Sequence, residues 1–249
     1  MTSVSRSLRP ALVSAVALVA LTLSGCGSGS GTKTAHDPVT TPVTTPTSTS
    51  TASGNASGGP TPPVTSDGHA HPGFQLVSVK KYGISYEVPK GWISLSASGV
   101  LTKDSPVVKL LSEKLGQSPD SIVQSMRTSL LAMSVSDHGA VAGFLENVNA
   151  AGSAETDVTD DLIRLQLARI GAKPTSVDHV DSPIGRIVRV PYGMSLGGHR
   201  FNGVMLGVAS DDGYVTITIS SHDAASAGSR ADQVQRSLAL LPGGGGTLS

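Results

Sequence analysis

Asp211-Asp212-Gly213-Tyr214-Val215-Thr216-Ile217-Thr218-Ile219 decides the fold. Asp-Gly is a strong hairpin signal, because glycine reaches the positive φ that tight β-turns need. After it, Val215, Ile217 and Ile219 alternate with Tyr214, Thr216 and Thr218, the period of a strand with one apolar face. Working outward, strands are expected over Arg200 to Ser210 and Tyr214 to Ser221. Before them come Val177 to Asp181 and Arg186 to Tyr192, joined by the turn Ser182-Pro183-Ile184-Gly185. Connections this short make the neighbours antiparallel. A last helix is expected to follow, burying Val234, Leu238 and Leu241 before Pro242.

Upstream, Ile84, Tyr86 and Val88 share one face of a short strand that Pro89 ends, and Lys90-Gly91-Trp92 reads as a turn. Ser105-Pro106 and Ser118-Pro119 each set a capping hydroxyl before a proline at the first helical position, where its missing N–H costs nothing. The first of these helices turns Val107, Leu110 and Leu111 inward and stops at Gly116. The second carries Ile122, Met126, Leu130 and Met133 at helical spacing. Ala140 to Asn149 is strand-like. Thr159-Asp160-Asp161 then opens a helix with Ile163, Leu167 and Ile170 on one face and Gly171 as its stop, its acids placed where the helix dipole favours them. Strands grouped with helices, rather than strictly alternating with them, give an α+β domain over residues 74–242, an antiparallel β-sheet flanked by helices. The tail, residues 243–249, is expected to be disordered.

The N-terminus reads as an address. Arg6 and Arg9 precede the apolar run Ala11 to Leu23, which ends in Leu23-Ser24-Gly25-Cys26. The run is shorter than the roughly 20 apolar residues of a spanning helix and directly follows the charged start, as in an export signal. Residues 1–25 are therefore expected to be a lipoprotein signal peptide. Leu23, Ser24 and Gly25 form the signal peptidase recognition site, and the Cys26 thiol accepts a diacylglyceryl thioether. Each buried acyl CH₂ contributes about 0.8 kcal/mol, so two or three chains hold a protein stably at a membrane. The mature protein is expected outside the cytoplasm, anchored to the cell membrane through Cys26.

Cys26 is the only cysteine, so neither disulfides nor cysteine-bound metals support the folded part, and stability must come from a hydrophobic core. Residues 26–73 are Ser, Thr, Pro and Gly with few apolar side chains, a composition that cannot bury enough surface to fold. Its prolines keep such a tether extended, at up to about 3 Å per residue. Thr/Pro clusters of this kind also accept O-linked sugars in exported proteins. The chain has 18 Lys+Arg and 18 Asp+Glu. Because Arg6 and Arg9 leave with the leader, the mature protein is mildly acidic, with no basic patch for nucleic acid.

One enzyme pattern is present. Gly193-Met194-Ser195-Leu196-Gly197 matches Gly-x-Ser-x-Gly, and Asp211 or Asp212 and then His222 follow in the chain order of an α/β-hydrolase triad. A nucleophile elbow needs a strand before the serine and a helix after it, whereas here both flanks read as strands. Asp67-Gly68-His69-Ala70-His71 could hold a transition metal weakly but lacks further ligands. His138, His179 and His199 are scattered. No paired-carboxylate, P-loop or dinucleotide signature appears. No enzyme, metal or cofactor is therefore expected. Trp92 and Phe201 are candidates for a recognition surface, with core anchoring as the alternative.

The lipobox, the Thr/Pro tether, Tyr82-Gly83-Ile84-Ser85-Tyr86-Glu87-Val88-Pro89-Lys90-Gly91-Trp92, Ile170-Gly171-Ala172, Ser182-Pro183-Ile184-Gly185-Arg186 and Val190-Pro191-Tyr192 together resemble the actinobacterial LpqN/LpqT-type lipoproteins. The aromatic-Pro-x-Gly-Trp segment is similar to the opening of PsbP-like domains. The resemblance implies an antiparallel sheet between helices and a noncatalytic cell-envelope protein associated with envelope lipid transport or assembly. It supplies no catalytic residues. The leading expectation is a binding or adaptor module for an envelope protein or lipid. The alternatives are a small lipid or ligand carrier and, last, a serine hydrolase using Ser195.

Overall fold

The computed structural model describes residues 68–96, 101–115, 118–127, 130–138, 144–154, 159–196, 199–210 and 212–242. The lipobox residues Leu23 to Cys26, nearly all of the tether, Gly116, Gly197, Asp211 and the tail 243–249 lie outside them. The elements run β1 (Phe74–Val79), β2 (Ile84–Pro89), β3 (Ile93–Ser96), α1 (Pro106–Leu115), α2 (Pro119–Arg127), β4 (Ala132–Val135) and β5 (Asn147–Ser153). They continue with α3 (Asp160–Arg169), β6 (Lys173–Pro174), β7 (Asp178–Ser182), β8 (Gly185–Leu196), β9 (His199–Ser210), β10 (Gly213–Ser221), α4 (Ala224–Arg236) and β11 (Ala239–Leu240).

The strands form two antiparallel sheets. The larger has eight strands, with path β3-β4-β5-β10-β9-β8-β6 and β7 also paired to β8, and the smaller has the order β1-β2-β11. The quoted hairpin is its centre: Ser210 pairs with Gly213 and Ile217 with Leu206. Gly213 holds φ at 123°, and a Cβ there would overlap the Ser153 carbonyl. Every residue of β10 is buried, so both faces of the large sheet are covered.

On one face, Val215, Ile217, Ile219, Leu206 and Val208 pack against Ala231 and Val234 of α4 and against Ile84, Tyr86 and Val88 of the small sheet. On the other face there are two separate apolar clusters. Ile163 and Leu167 of α3 cover Val188, Val190, Tyr192 and Met205 of β8 and β9. Val107, Leu111, Ile122 and Met126 of α1 and α2 cover Met133 and Val135 of β4. An antiparallel sheet with helices on its faces is thus the observed class, with a second small sheet on the α4 side.

Local chemistry sets the helix ends. The Thr159 hydroxyl accepts from Leu162 N, capping α3. At its other end Gly171 takes φ 70°, and Ala172 N and Gly171 N donate to Leu167 O and Ala168 O, a Schellman closure. Ser118 caps α2 by accepting from Ser121 N. Ser105 behaves otherwise: its hydroxyl accepts from Thr102 N in the preceding loop.

Several elements depart from the sequence reading, among them β3 and β6, for which no strand is expected, and residues 140–143 of the strand expected over Ala140 to Asn149 lie outside the described residues. Met133 is on β4, because α2 ends at Arg127 and the segment after it pairs with β3 and β5. The strand expected over Ala140 to Asn149 lies later, at Asn147–Ser153. Leu238 to Leu241 do not continue the last helix: Ala239 and Leu240 form an edge strand on β2. β1 is not expected from the sequence, since its apolar residues change phase along it, Phe74 and Leu76 and then Val77 and Val79. The fold also begins before Phe74. His71 N and Nδ1 both bond Glu87 Oε1, at 2.8 and 2.9 Å, and Lys90 N donates to Gly73 O.

Two glycines admit rings. A Cβ on Gly203 of β9 would run into the buried Tyr192 ring, and one on Gly152 of β5 into Tyr82. Gly203→Ala is therefore expected to destabilise the domain by about 1–3 kcal/mol, because the ring it displaces is enclosed by the core. Chemical denaturation read by circular dichroism checks this.

Candidate functional site

Ser195 does not sit on a nucleophile elbow. It lies exposed within β8, opposite Arg200 of β9. Asp212 is at the far end of the β9–β10 hairpin, ten positions along β9 from Arg200, which at about 3.3 Å per residue is roughly 30 Å away. His222 is near the Ser195 end but faces Glu146, at 3.8 Å. Serine, acid and histidine do not converge.

The other candidates fall as follows. Phe201 is 3% exposed and stacks on Phe144 with ring centroids 4.3 Å apart, a core position. Trp92 is half-buried and packs against the main core, with the Arg230 guanidinium 4.9 Å from its ring centre. His71 serves Glu87, His179 faces Asp160 at 3.3 Å, and His138 faces Asp137 at 2.7 Å. Asp160 and Asp161 occupy the first turn of α3, where the helix dipole favours them.

The arrangement that stands out lies on the helix-covered face of the large sheet. Its two central strands, β5 and β10, present Asn147, Asn149, Tyr214, Thr216, Thr218 and Ser220 there, alternating with the apolar residues of the opposite face. This polar stripe separates the cluster under α3 from the cluster under α1 and α2. Thr218 is 0% exposed and Asn149 2%, and the two are paired across the strands.

The hydrogen bonds within the stripe are one-sided. Asn149 Nδ2 donates to Asn147 Oδ1 at 3.2 Å, and Gln166 Nε2 of α3 donates to the Tyr214 hydroxyl. Each amide thus uses its NH₂ group. Asn149 Oδ1 and Gln166 Oε1 are left without a donor, as is Thr218 Oγ1. Among the described residues only one other buried side-chain oxygen lacks a partner, Tyr86 OH on the opposite side. Turning the Asn149 amide over would break its bond to Asn147 Oδ1, while Gln166 turned over would accept from the Tyr214 hydroxyl and leave its NH₂ group in the unpartnered position instead. At one end the Tyr192 hydroxyl lies 3.2 Å from Ser220 Oγ, and burial pushes its pKa up to about 12, with the Ser220 bond opposing the shift.

An unpartnered buried polar atom costs about 1–3 kcal/mol, a cost that a donor supplied by water or a ligand would offset. The stripe contains no acid or base and offers two carbonyl-type acceptors and a hydroxyl. Such a set can accept hydrogen bonds from O–H or N–H groups of a neutral molecule. Asn149, Thr218 and Gln166 were not singled out from sequence. Threonines alternating with Val and Ile read as a solvent face until a helix covers them.

No family model matches the chain, and no curated protein matches it. The structure is similar to the solution structure of cyanobacterial PsbP (CyanoP) from Synechocystis sp. PCC 6803, at 15% sequence identity over 71% of this chain and 97% of that chain, with a TM-score of 0.42.

Thr218→Val keeps the side-chain shape and removes an unpartnered hydroxyl. The ligand-free domain is expected to gain about 1 kcal/mol or more, measured by urea denaturation, in contrast to the usual loss when a bonded core threonine is replaced.

Proposed function

We propose that this protein is a noncatalytic binding module, tethered at the outer side of the cell membrane by a diacylglyceryl group on Cys26, that holds a neutral, donor-bearing molecule against the β5–β10 stripe. The observation that carries the reading is the set of unpartnered acceptors on one buried face, Asn149 Oδ1, Gln166 Oε1 and Thr218 Oγ1. The flanking apolar clusters, with Ile163, Leu167 and Met205 on one side and Met126, Met133 and Val135 on the other, suit a ligand whose polar part joins an apolar one, as in a lipid of the envelope. Binding sites commonly combine apolar walls with a few placed polar groups. The lipobox and tether support an envelope setting, where such a module would serve lipid transport or assembly as a carrier or an adaptor.

Native mass spectrometry of the full-length protein, extracted from its own membranes in mild detergent, tests the reading. A bound mass beyond that of the acylated protein is expected, reduced by Thr218→Val combined with Asn149→Leu. Finding only the acylated protein would overturn it. For the anchor, Cys26→Ser is expected to shift the protein from the membrane to the soluble fraction on centrifugation, with loss of the lipid mass increment.

A further inference from the structure

On the opposite side of the sheet, Arg230 projects from α4 over Trp92, its guanidinium carbon 4.9 Å from the ring centre. Among the described residues one of its five N–H donors is used, by Gln233 Oε1 at 2.9 Å. Among the described residues no carboxylate lies within the 4.0 Å of a contact ion pair with it. The acid that acts on it is Glu146, from a greater distance. Glu146 is otherwise occupied: Ser221 Oγ donates to its Oε1 at 2.5 Å, and His222 Nδ1 lies 3.8 Å from the same oxygen.

The contrast with the neighbouring arginine is informative. Arg189 rises from β8 toward the same helix and makes three contacts with it, to Asp232 Oδ1 at 2.7 Å, Gln235 Oε1 at 2.8 Å and Gly228 O at 3.5 Å. Arg230 is positioned by the indole and Gln233 and, among the described residues, keeps most of its donors. Half-burial draws its pKa below the usual value, with Glu146 opposing the shift. A guanidinium stacked on an aromatic ring and short of acceptors has the geometry for bidentate recognition of an oxyanion.

We propose that Arg230, braced by Trp92 and Gln233, is an oxyanion-binding residue that takes the phosphate or carboxylate group of a ligand. The site is independent of the β5–β10 stripe, which lies on the other face of the sheet.

Trp92 is the only tryptophan, so its fluorescence reports on this site alone. The folded full-length protein is titrated with inorganic phosphate and, separately, with acetate, each against sodium chloride at matched ionic strength. A saturable change in Trp92 emission is expected for at least one anion, and the arm that responds identifies the oxyanion. Arg230→Gln is expected to weaken the response about tenfold or more, and Arg230→Lys to weaken it less, because a lysine keeps the charge without the fork. Circular dichroism of each variant verifies the fold. Flat titrations with both anions, or an unchanged response in Arg230→Gln, would overturn the proposal.

Discussion

Two-sided burial of one sheet is the constraint on which the rest of this domain depends. With a single cysteine the chain can form no internal disulfide to support the fold, and aromatic residues are 3% of the chain. Aliphatic side chains must therefore be enclosed on both faces of the large sheet. β10 shows the outcome, with all of its residues buried. The α4 side is closed by a helix together with a small second sheet, and the other side by three helices in two groups. Because those two groups meet different strands, the middle strands under them are free to carry side chains that an ordinary core would reject.

Where local signals and burial agree, the sequence was a good guide. The β7 to β10 meander, the Asp212–Gly213 turn, the Thr159 cap and the Gly171 stop lie where turn chemistry and periodicity put them, because each rests on contacts between near neighbours in the chain. The departures have the opposite cause. Ala239–Leu240 extends the apolar spacing of α4, yet its backbone partner is β2, far away in the chain. Met133 fits the periodicity of α2, but its strand is chosen by β3 and β5. Long-range pairing overrides a helical pattern when the alternative is to leave a sheet edge without a partner.

The candidate sites were legible in part. Trp92 was noticed for its rarity, but nothing in the local sequence ties it to Arg230, which reaches it only through the packing of α4. Thr218 and Asn149 lie in segments whose alternation is plain, and alternation alone does not tell a face toward water from a face under a helix. The Gly-x-Ser-x-Gly pattern shows the reverse failure. A motif is present while its geometry is not, because Ser195 continues a strand and Asp212 sits at the other end of the hairpin.

The clasp between His71 and Glu87 has a mechanical consequence. Just after Gly68 the described chain is held to the domain where a backbone N–H and an imidazole bond one oxygen of a carboxylate that is 5% exposed. Glu87 belongs to β2, the middle strand of the small sheet. A pull arriving along the chain from the N-terminal side therefore reaches β2 through the clasp and the Lys90–Gly73 bond before it strains the ladder between β1 and β2. Load entering at the end of the chain is delivered to the interior of a sheet, and the edge strand is spared from peeling first.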